Sequence, residues 1–445
     1  MSNPILQSAQ SSAVVATLRE SDTVNPFVYN EKGRIVSPHS MSLLKITKSS
    51  GSVGASKTCS FDISKNGLLT GLYLEMEMPS VDIATGETLN NNISEDAQGV
   101  VAGVGTNAEG FFTMGILGCI DNIVLQTSGR QLERLSRFQM LARYSSLPAS
   151  KKVAVQESLR FAQQPDDSGK YKVVMWLPFY FFREMEKYHY NTSFNEPLRL
   201  DISLSSCQIL QTNVLSGGSA TLGAGVSALS AHAPLEVECI AQYRQLDARD
   251  EDALINAQYG DGLLSQCVSM MKEEAVHTVS PNPSSTTNTT NVKIDLKENL
   301  CVSKMYIVIT SPNPVANATY ATTLKTNDCP LEITAIKLTA SGVSVVDCHG
   351  DLIKYFGKWG EHDSSNVSSG NGERAFEHVY CIDFTTTHKG HTNTVAFREL
   401  SNPRLELDFN ARTATTAHEV RIMYETTTFL STSSATGRVQ LSISS

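Results

Sequence analysis

Leu198-Arg199-Leu200-Asp201-Ile202-Ser203-Leu204 alternates apolar and polar residues from end to end. Successive side chains of a β-strand point to opposite faces. This stretch therefore reads as a strand with its leucines and isoleucine in a core and its polar residues toward water. Leu405-Glu406-Leu407-Asp408-Phe409 repeats the pattern. So do Leu72-Tyr73-Leu74-Glu75-Met76-Glu77-Met78, which Pro79 closes, Leu235-Glu236-Val237-Glu238-Cys239, and Ile336-Lys337-Leu338. Residues 173–182 are denser in apolar side chains and read as a core strand running into an aromatic corner. Helical signals are few. Residues 131–144 carry Leu132, Leu135, Phe138 and Leu141 at threefold spacing, and residues 250–259 start on a candidate Asp250 cap and meet Gly260. Many strands with few short helices predict an all-β chain of sandwiches or barrels.

The strands recur in order along the chain. Phe61-Asp62-Ile63 matches Ile294-Asp295-Leu296 at an offset of 233, and Asn66 with Asn299 and Tyr73 with Tyr306 keep that offset. Ile123-Val124-Leu125 with Ser128-Gly129 matches Ile336-Lys337-Leu338 with Ser341-Gly342 at 213. Residues 173–179 match 379–385 at 206, and Leu198 through Ile202 match Leu405 through Phe409 at 207. The first drop falls where the first half carries a polar loop at 86–103. Strands that keep their order while loops change length indicate a duplicated domain. Two β units of about 200 residues suit the jelly roll, eight strands in two facing sheets, better than an immunoglobulin-type sandwich of about 100. The expected organisation is an N-terminal arm at 1–25, a first jelly roll at 26–232, and a second jelly roll with a C-terminal tail at 233–445.

Bulk properties narrow the function. The 445 residues are 41% apolar and 18% charged, a folded composition. With 36 Lys and Arg against 45 Asp and Glu, the net charge is −9. No stretch clusters five basic residues, so direct nucleic-acid binding is not expected. The nine Cys are scattered singly without a Cys-x-x-Cys, which reads as reduced core thiols. Neither a secretion signal nor a membrane-spanning apolar run is visible, so the five Asn-x-Ser/Thr sequons at Asn92, Asn191, Asn288, Asn317 and Asn366 read as chance occurrences.

No catalytic, cofactor-binding or metal-binding set emerges, and the chain is not expected to be an enzyme. His388-Lys389-Gly390-His391 spaces two imidazoles as a helical metal pair would, but Gly390 and the threonines before it read as a loop. Cys348-His349-Gly350-Asp351 brings three ligand types together without a second cluster to complete a tetrahedral site. The acids at 247–252 lack the glycine and ligand spacing of a calcium loop. Gly103 to Gly105 lacks the Lys-Ser/Thr of a phosphate loop, and Ser128-Gly129 lies outside any Gly-x-Ser-x-Gly elbow. Tyr188-His189-Tyr190 reads as aromatic packing. A secreted or surface carbohydrate-binding or -hydrolysing jelly roll is the rival expectation, but only Trp176 and Trp359 exist to line a glycan groove.

The ordered segments resemble the double jelly-roll major capsid proteins of nucleocytoplasmic large DNA viruses and their polinton-like and virophage relatives. The likeness covers about residues 50–441. It is carried by Ile63-Ser64-Lys65-Asn66-Gly67-Leu68-Leu69 with the strand to Pro79, by residues 120–130 with the helix expected after them, and by Trp176-Leu177-Pro178-Phe179-Tyr180-Phe181-Phe182-Arg183. Arg249-Asp250-Glu251-Asp252, Val395-Ala396-Phe397-Arg398-Glu399-Leu400-Ser401-Asn402 and Val420-Arg421-Ile422-Met423-Tyr424 complete it. The resemblance implies two tandem eight-stranded jelly rolls and a structural role without cofactors. It implies homotrimers of pseudo-hexagonal outline that tile an icosahedral virion shell assembled in the host cytoplasm. Its implied partners are neighbouring copies, minor capsid and penton proteins, and an internal membrane met by the N-terminal arm.

Overall fold

A computed structural model of the chain describes residues 39–79, 88–89, 115–147, 151, 154–155, 158, 170–181, 190–191, 196–205, 214–215, 233–249, 263–279, 289–298, 301–310, 331–350, 352, 379–384, 395–411, 418–433 and 439–442. The alternating stretches are strands. The long ones of the first half are β1 (His39–Ile46), β2 (Thr58–Ile63), β3 (Leu68–Pro79), β4 (Ile120–Thr127), β5 (Arg130–Ser136), β6 (Lys170–Trp176), β7 (Leu198–Leu204) and β8 (Glu236–Leu246). Those of the second half are β9 (Leu263–Glu273), β10 (Thr289–Asp295), β11 (Cys301–Thr310), β12 (Leu331–Ala340), β13 (Val343–His349), β14 (Val379–Asp383), β15 (Arg404–Ala411) and β16 (His418–Ser433). One helix of note, α1 (Arg137–Ser145), follows β5.

Antiparallel pairing orders the first set as β1-β8-β3-β6 in one sheet and β2-β7-β4-β5 in the other. The second set reads β9-β16-β11-β14 and β10-β15-β12-β13. Adding eight to each strand number of the first pair gives the second. The chain is two tandem eight-stranded jelly rolls with the same strand order, as expected. Leu72, Leu74 and Met76 of β3 face Leu198, Leu200 and Ile202 of β7 inside the first sandwich, all fully or almost fully buried. Met305, Ile307, Leu405, Leu407 and Phe409 fill the second.

The register sharpens the repeat. Leu200 pairs with Phe61 and Leu125, and Leu405 pairs with Ile294 and Leu338. The offsets 233 and 213 therefore stand, but Leu200 corresponds to Leu405 at 205, two residues from the 207 of the sequence match. Tyr73 pairs with Trp176 and Tyr306 with Cys381, which puts β6 and β14 at 205 as well. The sequence offset of 206 matched Val173, in the first core, with Val379, which packs on the outer face of the second sandwich. A slip of one residue in a strand turns every side chain to the other face.

One further expectation changes. Residues 131–136 are strand rather than helix. Ser128 and Gly129 have φ of 44° and 79°, and Ser341 and Gly342 have 53° and 76°. Two successive positive φ values make the tight turn that returns the chain directly into a hairpin. Opposite Leu125 and Gln126 the returning strand carries one extra residue, Leu132, and opposite Leu338 and Thr339 it carries Val345. This bulge gave Leu132 and Leu135 their helix-like spacing. The helix starts later, where Ser136 and Gln139 form a reciprocal capping box. β8 hydrogen-bonds between β1 and β3, closing the first sheet, and the second set of sheets begins with β9. The N-terminal arm and the expected helix at 250–259 lie outside the described residues.

Candidate functional site

Some of the motifs weighed for chemistry lie among the described residues. Ser128-Gly129 is a hairpin turn. Cys348 and His349 end β13, and among the described residues no group of three or more His, Cys, Asp or Glu is arranged to hold a metal ion. Trp176 is half-buried and stacks on Tyr73 at 6.2 Å, with 17° between the rings. The 388–391 pair, Gly103 to Gly105, His189, Trp359 and the sequons other than Asn191 lie outside the described residues. Among the Cys, Cys59, Cys119, Cys239 and Cys301 are buried, and Cys348 and Cys381 are half-buried.

Among the described residues a dense set of buried polar groups sits where the two sandwiches meet, and the sequence alone does not single it out. The Glu133 and Arg143 side chains are only 1% and 3% exposed and pair at 2.8 Å. The other carboxylate contacts come from the backbone: Tyr180 N–H donates to Oε2 at 2.8 Å, and Met271 N–H donates to Oε1 at 3.1 Å. Arg143 donates to the carbonyl of Pro178 in the first sandwich and to that of Ser269 in the second, the latter at 2.6 Å. Ser269 Oγ donates to Glu425 Oε1 at 2.5 Å, and Tyr306 donates to Glu425 Oε2 at 3.1 Å. Burial pushes the Glu133 carboxyl above its ordinary range, opposed by Arg143 and the two N–H donors. These groups are turned toward one another and toward backbone groups of both sandwiches, as in a clamp. The available signal was the charged pair set among the apolar spacing of 132–141 and the Ser136-x-x-Gln139 cap.

Around this clamp, α1 lies against the outer face of the β9-β16-β11-β14 sheet. Arg421 of β16 sits over the Phe138 ring at 4.2 Å and bonds Glu273 at 2.9 Å, and Ser136 donates to the same Glu273 at 3.2 Å. Tyr306, Val308, Val379 and Met423, on that outer face, are buried in one cluster with the first sandwich.

The same outer face of the first sandwich is open. Met41 and Leu43 of β1 are 62% and 58% exposed, and Val174 of β6 is 43% exposed. Tyr73 and Ile240 stand half-buried between them. Ion pairs flank them: Lys45 with Glu238, Lys172 with Glu75 at 2.8 Å, and Lys170 with Glu77 at 2.6 Å.

Two eight-stranded jelly rolls in tandem, fused through a buried seam, define a double jelly-roll fold. Solved structures share it along nearly their whole length. The chain superposes on the capsid of the virus PBCV-1 with a TM-score of 0.62 at 16% identity, covering 93% of this chain and 98% of that one. For the Faustovirus major capsid protein the TM-score is 0.58 at 10% identity, over 96% and 98% of the two chains. For the mavirus major capsid protein it is 0.54 at 10% identity, over 94% of each. No protein-family model and no curated protein sequence matches the chain. At these identities the shared property is the fold.

Proposed function

We propose that this chain is a major capsid protein: a structural building block that forms homotrimers of six jelly rolls, which tile an icosahedral virion shell. The observation that carries the reading is the pair of jelly rolls with one strand order, held by a buried seam, over almost the full length of viral capsid proteins. A rigid pair of matched sandwiches is what a tile needs, because each copy presents two similar units to its neighbours in a shell. An arm at 1–25, a first jelly roll ending with β8 and a second starting with β9 are the units of this reading. The chain acts by assembly rather than catalysis. Its partners are copies of itself, minor capsid and penton proteins, and an internal membrane reached by the arm. It resides in the virion after assembly in the host cytoplasm, and it does not bind the genome. The carbohydrate-active alternative gains no support from Trp176, which is packed on Tyr73.

Size-exclusion chromatography with light scattering on the full chain tests the unit. A stable trimer is expected, and a monomer at micromolar concentration overturns the proposal. Negative-stain images of purified virions decorated with an antibody to the chain test the shell, with label expected over the whole surface.

A further inference from the structure

Each jelly roll offers the same outer face, and one of the two is already occupied. The pairing registers make the positions correspond. Tyr73 pairs with Ile240 and Tyr306 with Met423, while Leu43 pairs with Gln242 and Met271 with Glu425. Leu43 thus stands where Met271 stands, and Val174 where Val379 stands. Met271 and Val379 are both 4% exposed because the first sandwich covers them, whereas Leu43 and Val174 are 58% and 43% exposed.

The covering element has a counterpart too. The β4-β5 hairpin and the start of α1 make the cover, and the β12-β13 hairpin repeats them with the same turn, register and bulge. The backbone is helical at Gly350 and Leu352, as it is from Arg137 onward. On the covering side Leu132 and Gln139 are buried, at 4% and 5%. Their counterparts at the hairpin offset of 213, Val345 and Leu352, are each 45% exposed. Among the described residues each half of the seam thus has an exposed twin: a receiving face on the first sandwich and a covering edge on the second. Isolated exposed apolar residues are ordinary, but a self-complementary pair of patches on one chain marks an association surface.

We infer that the open face of the first sandwich, centred on Met41, Leu43 and Val174, receives the β12-β13 edge of a second copy of this chain, Val345 and Leu352 first. The junction is head-to-tail and repeats between copies the contact that α1 and β5 make within one. This inference rests on the proposed assembly and names its surfaces. Its apolar residues make it weaken little with salt. The within-chain seam is centred on an ion pair, whereas here Val346 stands at the position of Glu133.

Leu43→Asp and Val345→Asp test it in the full chain by light scattering. Both side chains are exposed, at 58% and 45%, so each variant is expected to keep the wild-type circular dichroism and melting temperature and to run as a monomer. A head-to-tail junction adds a sharper outcome: an equimolar mixture of the two variants retains one intact junction and gives dimers, never trimers. Variants that stay trimeric beside a trimeric wild type, or a mixture that stays monomeric, overturn this inference and leave the capsid reading standing. A monomeric wild type overturns both.

Discussion

Tyr73 and Tyr306 occupy the same position on the two jelly rolls and make the same bond, yet only Tyr306 is fully buried. Tyr73 donates to Gln242 at 2.7 Å, and Tyr306 donates to Glu425 at 3.1 Å across the corresponding strand pair. A second correspondence lies beside them. Lys45 pairs with Glu238 in the first sandwich, while Glu273 pairs with Arg421 in the second, the same ion pair with its signs exchanged. Local chemistry is kept on both faces, and what differs is whether another sandwich covers it.

The seam depends on the buried Glu133–Arg143 pair. Removing one partner leaves the other charged, buried and short of a counter-ion, which costs about 3–5 kcal/mol. Glu133→Ala is expected to lose that much in urea unfolding. Glu133→Leu combined with Arg143→Met is expected to recover only part of it: no charge is stranded, but the Tyr180 and Met271 N–H groups and the Pro178 and Ser269 carbonyls lose their Glu133 and Arg143 partners. A single variant that costs under about 1 kcal/mol would show that water reaches the pair.

The corrected register makes Leu200 and Leu405 equivalent, and both are 0% exposed. Truncation of either to Ala removes buried methyl groups and leaves a cavity, costing about 2–5 kcal/mol. Similar losses are expected at the two sites, read from denaturation midpoints. Leu200→Asp or Leu407→Asp places a charge in a sandwich core and is expected to abolish soluble folded protein.

Ser128 and Ser341 hold positive φ at the first position of their hairpin turns. Asn tolerates this backbone better than Ser. Ser128→Asn and Ser341→Asn are each expected to stabilise by a few tenths to about 1 kcal/mol. Gly129→Ala is expected to destabilise, although nothing lies within 4 Å of the added methyl, because the cost is in φ alone. Melting curves decide both.

Burial raises the Cys59 thiol from 9.0 to about 11 and the Cys239 thiol from 9.0 to about 12. At pH 8 only about one Cys59 in a thousand is ionised, so both resist iodoacetamide in the native protein and react once it is unfolded. The linkage has a definite sign. Above pH 9 the unfolded chain releases these protons while the native chain keeps them, so stability falls as pH rises toward 11. A flatter slope is expected in Cys239→Ala, measured as unfolding free energy against pH.

Much of this molecule was legible in its sequence because β-strands advertise their faces. Leu198 to Leu204 and Leu405 to Phe409 alternate as written and are buried as written, and the offsets 233 and 213 survive in the hydrogen-bond register. Period-two alternation is a local property, so one strand suffices to reveal it. The offset at Leu405 needed the sheet, since a shift of two residues leaves the alternation unchanged and only the partner strand tells the registers apart. The helix expected at 131–136 failed because a bulge at Leu132 imitates a threefold spacing, and a bulge exists only relative to the strand it pairs with. The seam was beyond the sequence for the same reason. Glu133 and Arg143 look like ordinary surface charges until Met271 and Ser269, from the other jelly roll, close over them. The sequence by itself determined two β sandwiches and which side of most strands is apolar. Tertiary structure decided which outer face is covered, because two faces with the same alternation differ only in what is packed against them.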